Sequence, residues 1–267
     1  MTEFLHFLEG EMQRPGNYGW FHLTALALVI LTTVLLCLFA KKVKDKTFRL
    51  IVFLFWIVLI LFETYKQVIF SFNYNDANPT WDYQWYAFPF QMCSSPIYVL
   101  PFIFLTKEGS VLRRATVAYS ATYVLFAGAA VMFYPNDVFV RTIGINIQTM
   151  VWHGSQVILG VYFLSRYAEK LNFRFFLGGV IVFVCMSATA IALDLIVPRF
   201  IGDETFNMFY ISPLFPSTLP VLSIIYPLVP WALFFVLYLI GFTLAAYLMY
   251  LIPIGIRKLT VKKEAAA

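Results

Sequence analysis

Residues 21–40 read FHLTALALVILTTVLLCLFA and are stopped by Lys41-Lys42. About 20 mostly apolar residues are what one helix needs to cross the hydrocarbon of a bilayer. Working outward, six more stretches of that kind follow, at residues 48–72, 86–105, 116–134, 143–165, 175–197 and 230–251. Helices satisfy their own backbone in lipid, whereas barrel strands would be shorter and would alternate apolar with polar residues. The expectation is an all-α, polytopic membrane protein, with seven transmembrane helices in one domain, 1–267. Composition agrees: 61% of the 267 residues are hydrophobic and only 12% charged. That balance excludes disorder, a coiled coil and a charged soluble enzyme.

Charge sets the expected orientation. Lys41, Lys42, Lys44, Lys46 and Arg49, then Lys107, Arg113 and Arg114, then Arg166, Lys170 and Arg174, then Arg257, Lys258, Lys262 and Lys263 fall in alternate connections. The other set holds only Arg14, Arg141 and Arg199, beside the acids Glu3, Glu9, Glu11, Asp76, Asp82, Asp137, Asp203 and Glu204. The positive-inside rule then puts the N-terminus outside and the C-terminus in the cytoplasm. The net charge of +5 reads as attraction to anionic lipid headgroups on the cytoplasmic face, not as nucleic-acid binding. The acidic N-terminal segment has no basic region ahead of an apolar core, so no cleavable leader is expected. The cell membrane, as a multi-pass protein, is the expected location.

Polar residues inside spans are costly and mark candidate sites. The second span carries Glu63, Lys66 and Gln67, the third Gln91, Cys93, Ser94 and Ser95, the fifth Asn146, Thr149, His153 and Gln156, and the sixth Ser187 and Asp194. The four in the fifth span are spaced to form one stripe on one helix face, expected to face the bundle interior. Glu63 and Lys66, three residues apart, are read equally as an ion pair that neutralises itself. At about 1.5 Å per residue, Glu63 and His153 lie roughly 15 Å from the outer ends of their spans, Cys93 about 10 Å and Asp194 about 5 Å. One polar chamber in the outer half of the membrane is therefore expected.

Cys93 sits in Phe88-Pro89-Phe90-Gln91-Met92-Cys93-Ser94-Ser95-Pro96. Pro96 lacks a backbone donor and so frees the Met92 carbonyl. Ser95-Pro96 reads as an N-cap followed by proline at the first helical position, which places Cys93 just before a helix start. There the helix dipole favours a thiolate while low dielectric opposes it, and a base at similar depth, His153, decides between them. Cys37 and Cys185 sit among apolar residues and read as packing groups. His6 and His22 read as surface or interface residues of the outer N-terminal segment. The three cysteines are too far apart for a disulfide framework or a zinc site, and no HExxH, P-loop, GxSxG or dinucleotide fingerprint is present; no metal and no cofactor are expected.

At these residues the sequence resembles a known family. Phe88-Pro89-Phe90-Gln91-Met92-Cys93, Trp152-His153-Gly154 and Phe206-Asn207-Met208-Phe209-Tyr210 before Pro213 are similar to motifs of the bacterial YwaF-type integral membrane proteins, themselves similar to the eukaryotic transmembrane protein 164 acyltransferases. Phe88 and Met92 stand where the family more often has leucine. The resemblance implies a bacterial cytoplasmic-membrane protein and acyl transfer between lipids through a cysteine thioester, with Cys93 as nucleophile and His153 as its base. Phospholipids or lysophospholipids would be its partners. Gln91, Asn146 and Gln67 are candidate oxyanion donors, Asp194 and Glu63 candidates for orienting His153, and Asn207 a supporting polar residue. Two other readings remain at this point: a transporter or proton path lined by Glu63, Lys66, Asp194 and His153, or a structural membrane partner whose polar stripe only joins helices.

Overall fold

The structure, a computed structural model, describes residues 2–73 and 80–264. Asp76 and the side chains of Arg257, Lys258, Lys262 and Lys263 lie outside the described residues. The chain is all-α, in the order α1 (Thr2–Glu9), α2 (Trp20–Phe39), α3 (Asp45–Ser71), α4 (Pro96–Leu105), α5 (Val111–Tyr119), α6 (Leu125–Phe133), α7 (Ile143–Arg166), α8 (Phe173–Ile196), two short turns α9 (Pro198–Ile201) and α10 (Leu222–Ile225), and α11 (Trp231–Glu264). After α3 comes a small antiparallel hairpin, β1 (Phe72–Asn73) and β2 (Thr80–Trp81), with Phe72 opposite Trp81.

Among the described residues, five helices are long and apolar enough to cross a membrane: Trp20–Phe39, Asp45–Ser71, Val111–Phe133, Phe173–Ile201 and Trp231–Gly255. Their outward faces carry large apolar side chains, as α2 does with Leu28, Leu31, Val34, Leu35 and Leu38. Such a continuous exposed apolar surface is stable against lipid and not against water. The Val111–Phe133 stretch joins α5 to α6 through a π turn at Ser120–Val124, where the Ser120 and Thr122 hydroxyls donate to the carbonyls of Thr116 and Ala118.

Two expected spans are absent from those five, for different reasons. Residues 86–105 do not form one helix. Pro89 and Pro96 break the ladder, and the chain makes single 3-10 turns at Trp85–Ala87 and Met92–Ser94 before α4 begins at Pro96. Residues 143–165 are helical throughout within α7. Here the polar stripe lowers the hydropathy. α7 packs against α2, α3, α6 and α11, and Asn146, Thr149, His153 and Gln156 are all buried. Protein rather than lipid surrounds it, so it needs no apolar outer face.

Hydrogen bonds gather the connections at two ends. At one end Arg166 donates to the carbonyls of Ala40 (3.0 Å) and Val43 (2.7 Å), and Lys41 pairs with Glu169. Arg113, fully buried, pairs with Asp45. The Phe48 ring lies 4.9 Å from the Arg113 guanidinium and 4.6 Å from that of Arg166. At the other end Met12 N–H donates to the Arg141 carbonyl (2.8 Å), Tyr65 OH to Leu8 (2.7 Å) and Tyr18 OH to Phe133 (2.7 Å). α11 runs from this second end, where Trp231 donates to Ile211 (3.0 Å), to the first, where the Tyr250 ring packs tilted against Phe176.

His22 departs from expectation. It is fully buried, its Nδ1 accepting from the Tyr18 N–H (2.9 Å) and its Nε2 donating to the Met132 carbonyl (2.9 Å). It is a rivet between α2 and α6, not an interface residue. Its position near the chain start gave no sign that α6 would end beside it.

Candidate functional site

The site grows from the break before α4. Proline at position 96 leaves the Met92 carbonyl without a helical donor, and Ser95 fills the gap through its hydroxyl (2.7 Å) and its N–H (3.3 Å). Ser95 is thus the N-cap by position, while its side chain turns back instead of capping forward. Its oxygen also accepts the Tyr119 hydroxyl (2.9 Å), so the end of α5 braces the turn.

The next carbonyl, that of Cys93, points at α7. It accepts the Trp152 indole N–H (2.9 Å) and the Gln156 amide N–H (2.6 Å). Trp152 and Gln156 are one helical turn apart, and His153 lies between them in the sequence. Its Nδ1 bonds the Thr149 carbonyl at 2.9 Å. A carbonyl can only accept, so this bond assigns the proton to Nδ1 and leaves Nε2 with a free lone pair. The close approach behind this turn depends on Gly128 of α6. A Cβ there would sit 2.6 Å from Gln156 Cβ and 2.8 Å from the His153 carbonyl.

α3 contributes charge. Lys66 Nζ is 2.8 Å from Glu63 Oε1. Gln67 donates to Glu63 Oε1 (2.6 Å) and to the Ala87 carbonyl (2.7 Å), tying α3 to the chain that leads into the Cys93 turn. The ion pair anticipated between Glu63 and Lys66 is present and sits at the edge of this region.

Three further residues named from the sequence serve one segment. Gln91 accepts from Phe209 N–H (2.8 Å) and donates to the Asn207 carbonyl (2.9 Å), using its amide as a strand uses its backbone. Asp194 accepts from Met208 N–H (2.6 Å). Asn207 accepts from Ser212 N–H (3.0 Å) and donates to Pro216 (3.1 Å). Together they hold residues 206–212 inside the protein, with Phe206 against Phe88 and Phe209 against Phe90. Phe209 and Tyr210 both have positive φ, 56° and 57°, a conformation costing about 1–2 kcal/mol for a residue with a side chain.

The remaining residues lie elsewhere. Asn146 bonds the N–H and the carbonyl of Val140 (2.9 and 2.8 Å) and closes the turn into α7. Cys37 and Cys185 are free thiols on α2 and α8, Cys185 on an exposed face. The expected orienting of His153 by Asp194 or Glu63 is replaced by the Thr149 carbonyl. Sequence reasoning did not single out Trp152 as a donor to Cys93, nor Tyr119 or Tyr210. The available signal for the 206–212 segment was an apolar, aromatic run inside a connection that starts with Asp203-Glu204.

Chemically, the arrangement offers a thiol in a turn pinned to α7 and an imidazole lone pair on that helix. In comparison with known families, the family model for TMEM164 matches residues 17–250. No curated protein and no solved structure matches the chain.

Proposed function

The chain belongs to the TMEM164 family, and on that premise we propose that it is a membrane-embedded acyltransferase acting on phospholipids or lysophospholipids. The observation that carries the reading is the double hydrogen bond from Trp152 and Gln156 to the Cys93 carbonyl, which docks the thiol-bearing turn on the helix segment that holds His153. Bringing a nucleophile and a base to one place is the first requirement of covalent acyl transfer. The Thr149 bond meets a second, since it presents His153 with an unprotonated Nε2.

In the reaction, His153 Nε2 takes the Cys93 proton and the sulfur adds to the carbonyl carbon of a lipid ester. The tetrahedral oxyanion collapses, the ester C–O bond breaks, and the departing alkoxide takes the proton from His153. The acyl group is left as a thioester on Cys93. An incoming lipid hydroxyl then gives its proton to His153 and attacks the thioester, and the thiolate leaves and is reprotonated. An apolar environment favours this transfer over hydrolysis.

The same proposal places the chain in the bacterial cytoplasmic membrane with seven crossings, the N-terminus outside and the C-terminus in the cytoplasm. The 86–105 stretch and α7 are then the sixth and seventh crossings beside the five apolar helices. The supporting observation is the gathering of Lys41, Arg113, Arg166 and Lys170 at one end of the bundle. Anionic headgroups would meet that end.

The test uses the purified full chain and a phospholipid with a labelled acyl chain. A hydroxylamine-sensitive acyl adduct that disappears with Cys93→Ser, together with transfer of label to a lysophospholipid, is the expected result. Full-rate transfer by Cys93→Ser or Cys93→Ala removes the mechanism.

A further inference from the structure

Glu63 is buried on α3, and its two carboxylate oxygens have different surroundings. Oε1 faces the Lys66 ammonium (2.8 Å) and accepts a Gln67 amide N–H (2.6 Å). Oε2 is shut off from the surface and has no partner among the described residues. Gln67 is in the same position. Its two N–H groups go to Glu63 Oε1 and to the Ala87 carbonyl (2.7 Å), while its own Oε1 is buried without a donor. The two side chains touch through that bond, so two idle acceptor oxygens lie close together. A dry, unpaired acceptor is costly, and two in adjoining side chains mark a place built for a donor.

That place is level with the thiol. α3 and the chain that returns after it run in opposite directions. Gln67 ties them at Ala87, and the Trp56 indole N–H ties them again at the Ile97 carbonyl (2.8 Å). Leu59 borders one small cavity with Pro96 and with Gln156, the donor to the Cys93 carbonyl. Leu59, Glu63 and Gln67 follow at intervals of four and share a helix face. Glu63 therefore falls between these ties on α3, as Cys93 does on the facing chain.

Charge narrows the ligand. A cation would meet Lys66 beside Glu63, and an anion would meet the carboxylate itself, so a neutral O–H suits the idle oxygens best. The Lys66 ammonium has three N–H groups and no partner but Glu63 among the described residues, which leaves it able to hold an anion next to that hydroxyl. A lysophospholipid carries this pair, a free glycerol hydroxyl with a phosphate ester close by, whereas a diacyl phospholipid has lost the glycerol hydroxyl.

We propose that Glu63, Gln67 and Lys66 form the acceptor subsite, the free hydroxyl of a lysophospholipid donating to Glu63 Oε2 and Gln67 Oε1 while Lys66 meets its phosphate. This rests on the acyl-transfer reading and assigns the residues that select its acceptor. While the acceptor binds, its O–H lies on Glu63. On attack the O–H turns to His153 Nε2, which takes the proton as the oxygen bonds to the thioester carbon. The C–S bond then breaks, sulfur leaves with the electron pair, and His153 returns the proton to it. Glu63 ends the turnover as it began it, so it is a positioning residue that acts on acceptor affinity.

The experiment follows the two half-reactions separately, with the full chain in phospholipid vesicles: labelling of Cys93 by a labelled acyl donor, then discharge of the label to a lysophospholipid. Glu63→Leu with Lys66→Met removes both charges and leaves neither buried alone. This double variant is expected to raise the acceptor KM about 10–100-fold, with Cys93 labelling at the wild-type rate. In the wild type, an analogue with hydrogen in place of the free hydroxyl is expected to compete with the acceptor about 10–100-fold more weakly than the acceptor binds. An unchanged acceptor KM, or Cys93 labelling slowed as much as discharge, overturns the subsite. An analogue that competes as well as the acceptor binds also overturns it, leaving water as the occupant of the idle oxygens, and that measurement needs no variant. A wild type that forms no Cys93 adduct overturns the acyl-transfer reading itself.

Discussion

Gln156 donates its side-chain amide to the backbone carbonyl of Cys93 at 2.6 Å, across 63 positions of sequence. Trp152 shares that acceptor. Replacing Gln156 with Leu, or Trp152 with Phe, removes one of two donors and is expected to cost about 1 kcal/mol each. The double substitution leaves the carbonyl buried without a side-chain partner and is expected to cost more than the two separate losses together. Thermal unfolding in detergent measures the costs, and faster alkylation of Cys93 reports the loosened turn.

Removal of the base gives a reactivity prediction. With Cys37 and Cys185 replaced by Ala, a lipid-soluble thiol reagent reports on Cys93 alone. His153→Ala is expected to slow its alkylation at neutral pH, and acyl transfer by about 10²–10⁴-fold. Unchanged rates in both assays mean that the imidazole lone pair does not serve the thiol.

Charge pairs at the basic end differ by burial. Asp45→Asn leaves the fully buried Arg113 without its counter-charge, and a loss of about 3–5 kcal/mol is expected. Lys41→Ala breaks a pair whose two side chains are mostly exposed, and less than about 1 kcal/mol is expected. Unfolding midpoints of the two variants, measured side by side, check the contrast.

Gly128→Ala puts a methyl group 2.6 Å from Gln156 Cβ and 2.8 Å from the His153 carbonyl. One of those neighbours is backbone and cannot swing away. The expected cost is about 1–3 kcal/mol, with a parallel loss of label transfer. Gly241→Ala in α11 meets no atom within 4 Å and is expected to be neutral or to gain up to about 1 kcal/mol from helix propensity.

Much of the helical layout was legible because it is written locally. Twenty apolar residues ended by Lys41-Lys42 can be read without knowing any partner, and so can the 3.6-residue repeat that buries Thr149, His153 and Gln156. The proline before α4 also announced the helix start at Pro96. What stayed hidden depends on distant partners. The amide of Gln91 could have served an oxyanion or a loop, and only the position of Phe209, 118 residues away, decides. Asn146 sits on the polar stripe, yet its bonds run to the preceding turn at Val140. His22 is indistinguishable from a surface histidine until Met132 arrives beside it. α7 reads as one more span, but its hydropathy already carried the sign that it is enclosed by other helices.

The π turn at Ser120–Val124 has a consequence for the angular phase of the chain. A widened turn carries one more residue than an α-turn, and each residue of an α-helix advances by about 100°. Were the same residues wound as unbroken α-helix, everything from Leu125 onward would swing by roughly that angle relative to α5. Tyr119 would still face Ser95, but Gly128 would rotate off Gln156, and a bulkier neighbour would be driven into the turn that carries His153. One surplus residue in mid-bundle therefore lets a single bent rod brace the Cys93 turn from one side and make room for α7 on another.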